Sequence, residues 1–93
     1  MTARATLPEP ITVEKFWKTR WRNEAVHITL SEHESHCLID IRVFRTGING
    51  IDYATTKGLA LGVGKLPELV WALVKAEAMA RERGLLPNDG AGE

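Results

Sequence analysis

The residues from Cys37 to Leu61, CLIDIRVFRTGINGIDYATTKGLAL, constrain the fold more than any other stretch of the chain. Cys37, Ile39, Ile41 and Val43 alternate with Leu38, Asp40, Arg42 and Phe44. Successive side chains of a strand point to opposite faces, so this is a strand with one apolar and one mixed face. Gly47-Ile48-Asn49-Gly50 supplies turn chemistry, because glycine and asparagine reach positive φ at little cost. Ile51 to about Lys57 then returns as a partner strand. The result is a hairpin. Being antiparallel and locally connected, it leaves its mixed face to solvent, where Arg42, Phe44 and Lys57 are placed to meet a ligand.

Two further strands are expected before the hairpin. Ile11 to Thr19 (ITVEKFWKT) carries the β-branched and aromatic residues that suit a strand. Ile11, Val13, Lys15 and Trp17 would share one face and Thr12, Glu14, Phe16 and Lys18 the other. Each face holds one aromatic, so the pattern leaves the buried side open. Ala25 to Ser31 is half-buried, with Val26, Ile28 and Leu30 inward and His27 and Thr29 outward. Residues 32–35 turn into the central strand, and Leu59 to Gly64 closes the sheet.

From about Lys65 to Arg83 the period changes to that of a helix. Leu66, Leu69, Val70, Leu73, Ala76 and Ala80 form a stripe that Val74 widens. Pro67 fits only the first turn, and Gly84 supplies a left-handed stop. Glu77 falls on the stripe, within reach of Arg81 one turn later. Trp71, beside Val74 and Ala78, makes a second apolar flank. In a chain of 93 residues the simplest partner for that flank is the same helix of a second subunit, with Val70, Trp71, Val74 and Ala78 in the interface. The other possibility is that Trp71 lies on its own sheet edge.

These elements predict one α+β domain over residues 11–86: a four-stranded antiparallel sheet and one long C-terminal helix, dimerising through the helix. Residues 1–10 are expected to be a flexible arm and 87–93 a disordered tail. The helix should cover one sheet face and leave the other open.

The open face bears on function. Lys15, Lys18, Arg20 and Arg22 interleave with Phe16, Trp17 and Trp21 in the most basic run of the chain. Single-stranded nucleic acid favours that combination, since cations follow phosphates while rings accept unstacked bases. Alternatively Phe16 or Trp17 is core, Trp21 caps a turn, and the cations are solvated. A formal net charge of zero excludes a polycation binding by charge alone, so any electrostatic site needs segregated charge. The single cysteine, Cys37, permits no internal disulfide and fits a reducing compartment. No apolar run suits a signal peptide or a membrane span, so the cytoplasm is expected. His27, His33, His36 and Cys37 match no standard zinc spacing, and neither metal nor cofactor is expected. No nucleophile–base pair or phosphate-binding glycine loop points to an enzyme. Asp40 and Arg42, two apart on one strand, are expected to form a surface ion pair.

Ile39-Asp40-Ile41-Arg42, a hairpin turn, Lys57-Gly58-Leu59-Ala60-Leu61 and a long C-terminal helix together resemble the C-terminal domain of the transcriptional coactivator Positive Cofactor Four family, in its small prokaryotic form. The match runs over roughly residues 25 to 80. The resemblance implies a sheet-and-helix dimer that binds single-stranded or unwound DNA on its sheet face with little sequence preference. It places the family's DNA-contacting arginine on Arg42 and its lysine before glycine on Lys57. A stacking phenylalanine of the family is His33 here, neighbouring lysines are Glu34 and His36, and a tryptophan near the end of the central strand is Arg45. Histidine can stack and arginine can both stack and pair. Trp17, Trp21 and the cations beside them are candidates to supply what those positions lack.

The expected site is therefore Arg42, Lys57, Lys15, Trp17, Lys18, Arg20, Trp21, Phe44, Arg45 and His36. The expected partners are single-stranded DNA (or RNA), a second copy of the chain and transcription machinery, with association to the nucleoid in a prokaryote. The alternative use of the same face is to dock a polypeptide.

Overall fold

The structure, a computed structural model, describes residues 7–87. Four strands run in sequence order, β1 (Ile11–Thr19), β2 (Glu24–His33), β3 (His36–Thr46) and β4 (Asp52–Gly62), and each neighbouring pair is antiparallel. A 3-10 turn at Arg20–Arg22 joins β1 to β2, and a second at Val63–Lys65 leads into α1 (Leu66–Glu82). The expected order of four strands and one helix is the observed one.

The hairpin turn is built as its residues suggest, with one change. Gly50 has φ 81°, but Asn49 contributes through its side chain, whose Oδ1 accepts from the Ile51 N–H at 3.1 Å. Pro67 lies in the first turn of α1. The helix ends at Gly84 (φ 77°). There the Leu85 N–H reaches back to the Ala80 carbonyl at 2.8 Å and the Gly84 N–H to Arg81 at 3.1 Å. This paired closure satisfies two carbonyls that a helix end would otherwise leave open.

Two irregularities in β1 decide which way its side chains face. Thr12 pairs with Thr29 and Glu14 with Ile28, so Val13 is an extra residue; the same happens at Lys18, between Trp17 and Thr19. An inserted residue reverses the alternation beyond it. The expected grouping of Ile11 with Lys15 and Trp17 is thereby corrected. Ile11, opposite Leu30, joins Phe16, opposite Val26, on the apolar face, whereas Lys15 and Trp17 stand with His27 and Ala25 on the mixed one.

The apolar face carries Ile11, Phe16, Val26, Ile28, Leu30, Ile39, Ile41, Val43, Leu59 and Leu61 in cross-strand rows. Among the described residues, only Ile39 (3% exposed) and Val43 (9%) are buried apolar residues. The expectation that α1 covers this face within one chain is also corrected. The helix leaves the sheet after the Val63–Lys65 turn, and Leu69 and Ala80 are only half-buried while Val70, Trp71, Leu73 and Val74 are exposed. Trp71, 65% exposed, does not lie on its own sheet edge. The radius of gyration is 16.1 Å, against about 12 Å for a compact chain of this length. The protomer is a plate with an arm.

The arm and tail expectations fall largely on residues 1–6 and 88–93, outside the described residues. Within them, the Leu7 N–H donates to Glu32 Oε1 at 2.8 Å, which ties the end of the arm to β2. Among the described residues, no helix is long and apolar enough to cross a membrane.

Candidate nucleic-acid interface

The register aligns the mixed face into rows that cross all four strands. Lys15, His27, Arg42 and Gly58 form one row, and Trp17, Ala25, Phe44 and Ala54 the next. At the usual strand spacing each row spans about 14 Å, and the two rows lie about 7 Å apart. Cations and rings thus alternate across one surface, although the chain as a whole is electrically balanced.

His27 and Phe44 stack on each other, with ring centroids 3.9 Å apart and planes within 8° of parallel. His27 is 8% exposed. Burial, and then the ammonium of Lys15, hold its pKa below the ordinary 6.5, while Asp52 works in the opposite direction. A neutral imidazole stacked on a phenyl ring is an extended flat surface rather than a fixed charge.

Arg42 is held in place by its own neighbours. Its Nε donates to both Asp40 oxygens at 3.2 and 3.3 Å, its Nη2 lies 3.1 Å from Asp40 Oδ1, and its Nη1 donates to the Thr55 carbonyl at 3.3 Å. The expected surface pair of Asp40 and Arg42 is present. A guanidinium has five N–H groups, so two remain for a phosphate.

Lys57 sits on a bulge in β4, where Thr55, Thr56 and Lys57 stand opposite Val43 alone. The bulge is fastened by Thr55, whose Oγ1 donates to the Val43 carbonyl at 2.7 Å and accepts from the Lys57 N–H at 3.2 Å. Gly58 follows at φ 151°, so close to β3 that a Cβ would lie 2.4 Å from the Ile41 carbonyl oxygen. The Lys-Gly pair thus has a steric origin. The exposed ammonium of Lys57 makes no ion pair among the described residues.

The rest of the expected site divides. Arg20, on the 3-10 turn, places its guanidinium carbon 5.9 Å from the centroid of the Trp17 ring, and Trp21 beside it is 89% exposed. Arg20 thereby adjoins the mixed face. Lys18 and Arg45 do not: Lys18 Nζ lies 3.4 Å and Arg45 Nε 3.7 Å from the carboxylate of Glu24, which is buried on the apolar side. They compensate a buried charge there. His36 pairs with His33 at the far end of β2 and β3, about 26 Å along the strand from Phe44.

Reading the sequence alone misses a hollow at the end of the face. It is about 290 Å³, lined by Lys15, Phe16, Trp17, Asn23, Ala25, His27, Phe44, Thr46 and Asp52. His27 and Phe44 alternate correctly in the sequence, but Asn23 lies in the connection between β1 and β2 and Asp52 is the first residue of β4, and the placement of both depends on register.

Among solved structures the chain is similar to a PC4 homolog from Burkholderia pseudomallei K96243, with a TM-score of 0.66 and 15% identity over 78% of this chain and 96% of that one. It is also similar to the bacteriophage T5 homolog of the eukaryotic transcription coactivator PC4, a protein implicated in recombination-dependent DNA replication. There the TM-score is 0.55 and the identity 20%, over 81% of this chain and 84% of that one. Family models and curated proteins give no match. The fold is PC4-like, as the resemblance in the sequence implies.

Proposed function

We propose that the chain is a non-enzymatic, homodimeric single-stranded DNA-binding protein, akin to transcription coactivators, that binds unwound DNA on its mixed sheet face with a cytoplasmic or nucleoid location. The observation that carries this reading is the pair of rows Lys15–His27–Arg42 and Trp17–Ala25–Phe44 on a face that the helix leaves open. Cations take the phosphates and rings take the bases. The PC4-like fold supports the same reading, as does the phage relative's link to DNA replication. The apolar face and the stripe of α1 supply the surfaces for the second subunit.

Fluorescence anisotropy with oligothymidylate and with duplex DNA, at two salt concentrations, tests it. Single strands should bind more tightly than duplex, with a log–log salt slope of about −0.7 per phosphate contacted. Lys57→Ala and Arg42→Ala should each flatten that slope; if both keep the parent's slope, the mixed face is not the site. Asp40 and Asp52 on the same face favour a second reading, in which it docks a basic polypeptide. That reading gains if neither form of DNA binds at low salt.

A further inference from the structure

We infer that the hollow between Trp17 and Phe44 is a base-selective pocket that accepts a guanine of the bound strand, read by Asp52 with Asn23. The inference rests on the single-strand reading above and adds a base preference to it.

The dimensions suit one base. About 290 Å³ lies at the lower limit of the roughly 300–1,000 Å³ typical of small-ligand sites. Trp17 and Phe44 flank Ala25 in one cross-strand row, two strand spacings or about 10 Å apart at the backbone. The methyl group of Ala25 leaves the space between the two rings unfilled. His27 already occupies one side of Phe44, so the open position is above Ala25. Lys15 stands at the border of the hollow, where a phosphate of the same nucleotide would pass.

The polar groups of the hollow are unexpected for a polyanion site. Thr46 Oγ1 donates to Asp52 Oδ1 at 2.7 Å and fixes the carboxylate. No cation pairs with Asp52 among the described residues, and its Oδ2 receives no hydrogen bond from them. A carboxylate repels phosphate, so the group it selects is a donor. Guanine presents its N1–H and N2–H side by side, matching the two oxygens of a carboxylate. Cytosine and adenine offer one amino group each, and thymine offers an N3–H between two carbonyl oxygens that Asp52 would oppose. Asn23 is held at φ 56° by its N–H on the Arg20 carbonyl and its own carbonyl on the Thr46 N–H. Its side-chain amide has no hydrogen bond among the described residues and can donate to the O6 of guanine.

The test is anisotropy of the full-length chain with short oligothymidylates carrying a central guanine, cytosine, adenine or thymine. Guanine should bind most tightly, by roughly five-fold to a hundred-fold over thymine, the range of a two-bond base contact. Asp52→Asn keeps the Thr46 bond through its Oδ1 but turns the second atom into a donor. It should abolish the guanine preference and shift selection towards thymine. Ala25→Leu fills the hollow and should equalise the four oligonucleotides. Equal binding of all four by the parent, a parent that prefers cytosine, or a preference that survives Asp52→Asn would overturn the pocket and leave the single-strand reading in place. Failure of every oligonucleotide to bind at low salt would overturn both.

Discussion

A methyl group at Gly58 would meet main chain rather than a movable side chain. The Ile41 carbonyl oxygen would lie 2.4 Å and the Arg42 Cα 2.7 Å from it, at a φ of 151° that side-chain-bearing residues rarely adopt. Gly58→Ala should therefore cost at least about 2 kcal/mol and disturb the placement of Arg42, read as a lower urea midpoint. Gly50→Ala is the control. Its φ is also positive, but nothing lies within 4 Å of the added carbon, so the cost should be about 1 kcal/mol from backbone strain alone. Equal losses at the two positions would show that the close approach of β4 to β3 contributes nothing. His27 makes a second argument at this scale. Its pKa in the folded chain lies below the 6.5 of the unfolded one, mainly through burial and then through Lys15. Arg42 faces it from β3, paired with Asp40, and Asp52 opposes the shift. The unfolded state thus binds more protons in the window below pH 6.5. Stability should fall as pH drops from 6.5 through the folded pKa, and His27→Gln should remove that dependence between pH 5.5 and 7.5 in urea titrations.

Strands and helix were legible because each shows its own period. The alternation of Val26, Ile28 and Leu30 or of Ile39, Ile41 and Val43 survives from sequence into structure, as does the placing of His27 and Arg42 on the opposite, mixed face. Less legible was anything that depends on two strands at once. The extra residues at Val13 and Lys18 are defined only against β2, so the alternation in β1 alone gave the wrong company for Ile11. Lys18 and Arg45 read as site cations because nothing in the linear pattern announces that Glu24 is buried between them. The direction of α1 was hidden for a similar reason: an apolar stripe says that a helix needs a partner, not that the partner belongs to the same chain. The stripe and flank residues Val70, Trp71, Leu73 and Val74 are all exposed in the protomer. If α1 docks on a second copy, Val74→Asp should convert the dimer to a monomer by sedimentation while the helix content changes little. A mutant that sediments like the parent would place the contact elsewhere.

The molecule as a whole lacks the interior that a stable protomer of this length requires. Among the described residues two apolar side chains are buried, neither of them completely, while Phe16, Leu59, Leu73 and Val74 are exposed on surfaces of the sheet and the helix. A small domain already buries the least surface per residue, and one whose helix leaves its sheet buries less again. Hydrophobic burial is the main term opposing chain entropy, so the proposed dimer is where the missing contacts would come from. In the dimer proposed above, both apolar surfaces would be engaged by the second subunit, and neither would need to fold over the cations of the mixed face. Stability is then tied to concentration by mass action. Raising the protein concentration a hundred-fold should raise the thermal midpoint by about 5–10 °C, measured by circular dichroism on the same buffer and scan rate. A midpoint that does not move over that range would mean that the exposed apolar face and helix stripe are tolerated in a stable monomer, and the dimeric reading would fall with its explanation of the open face.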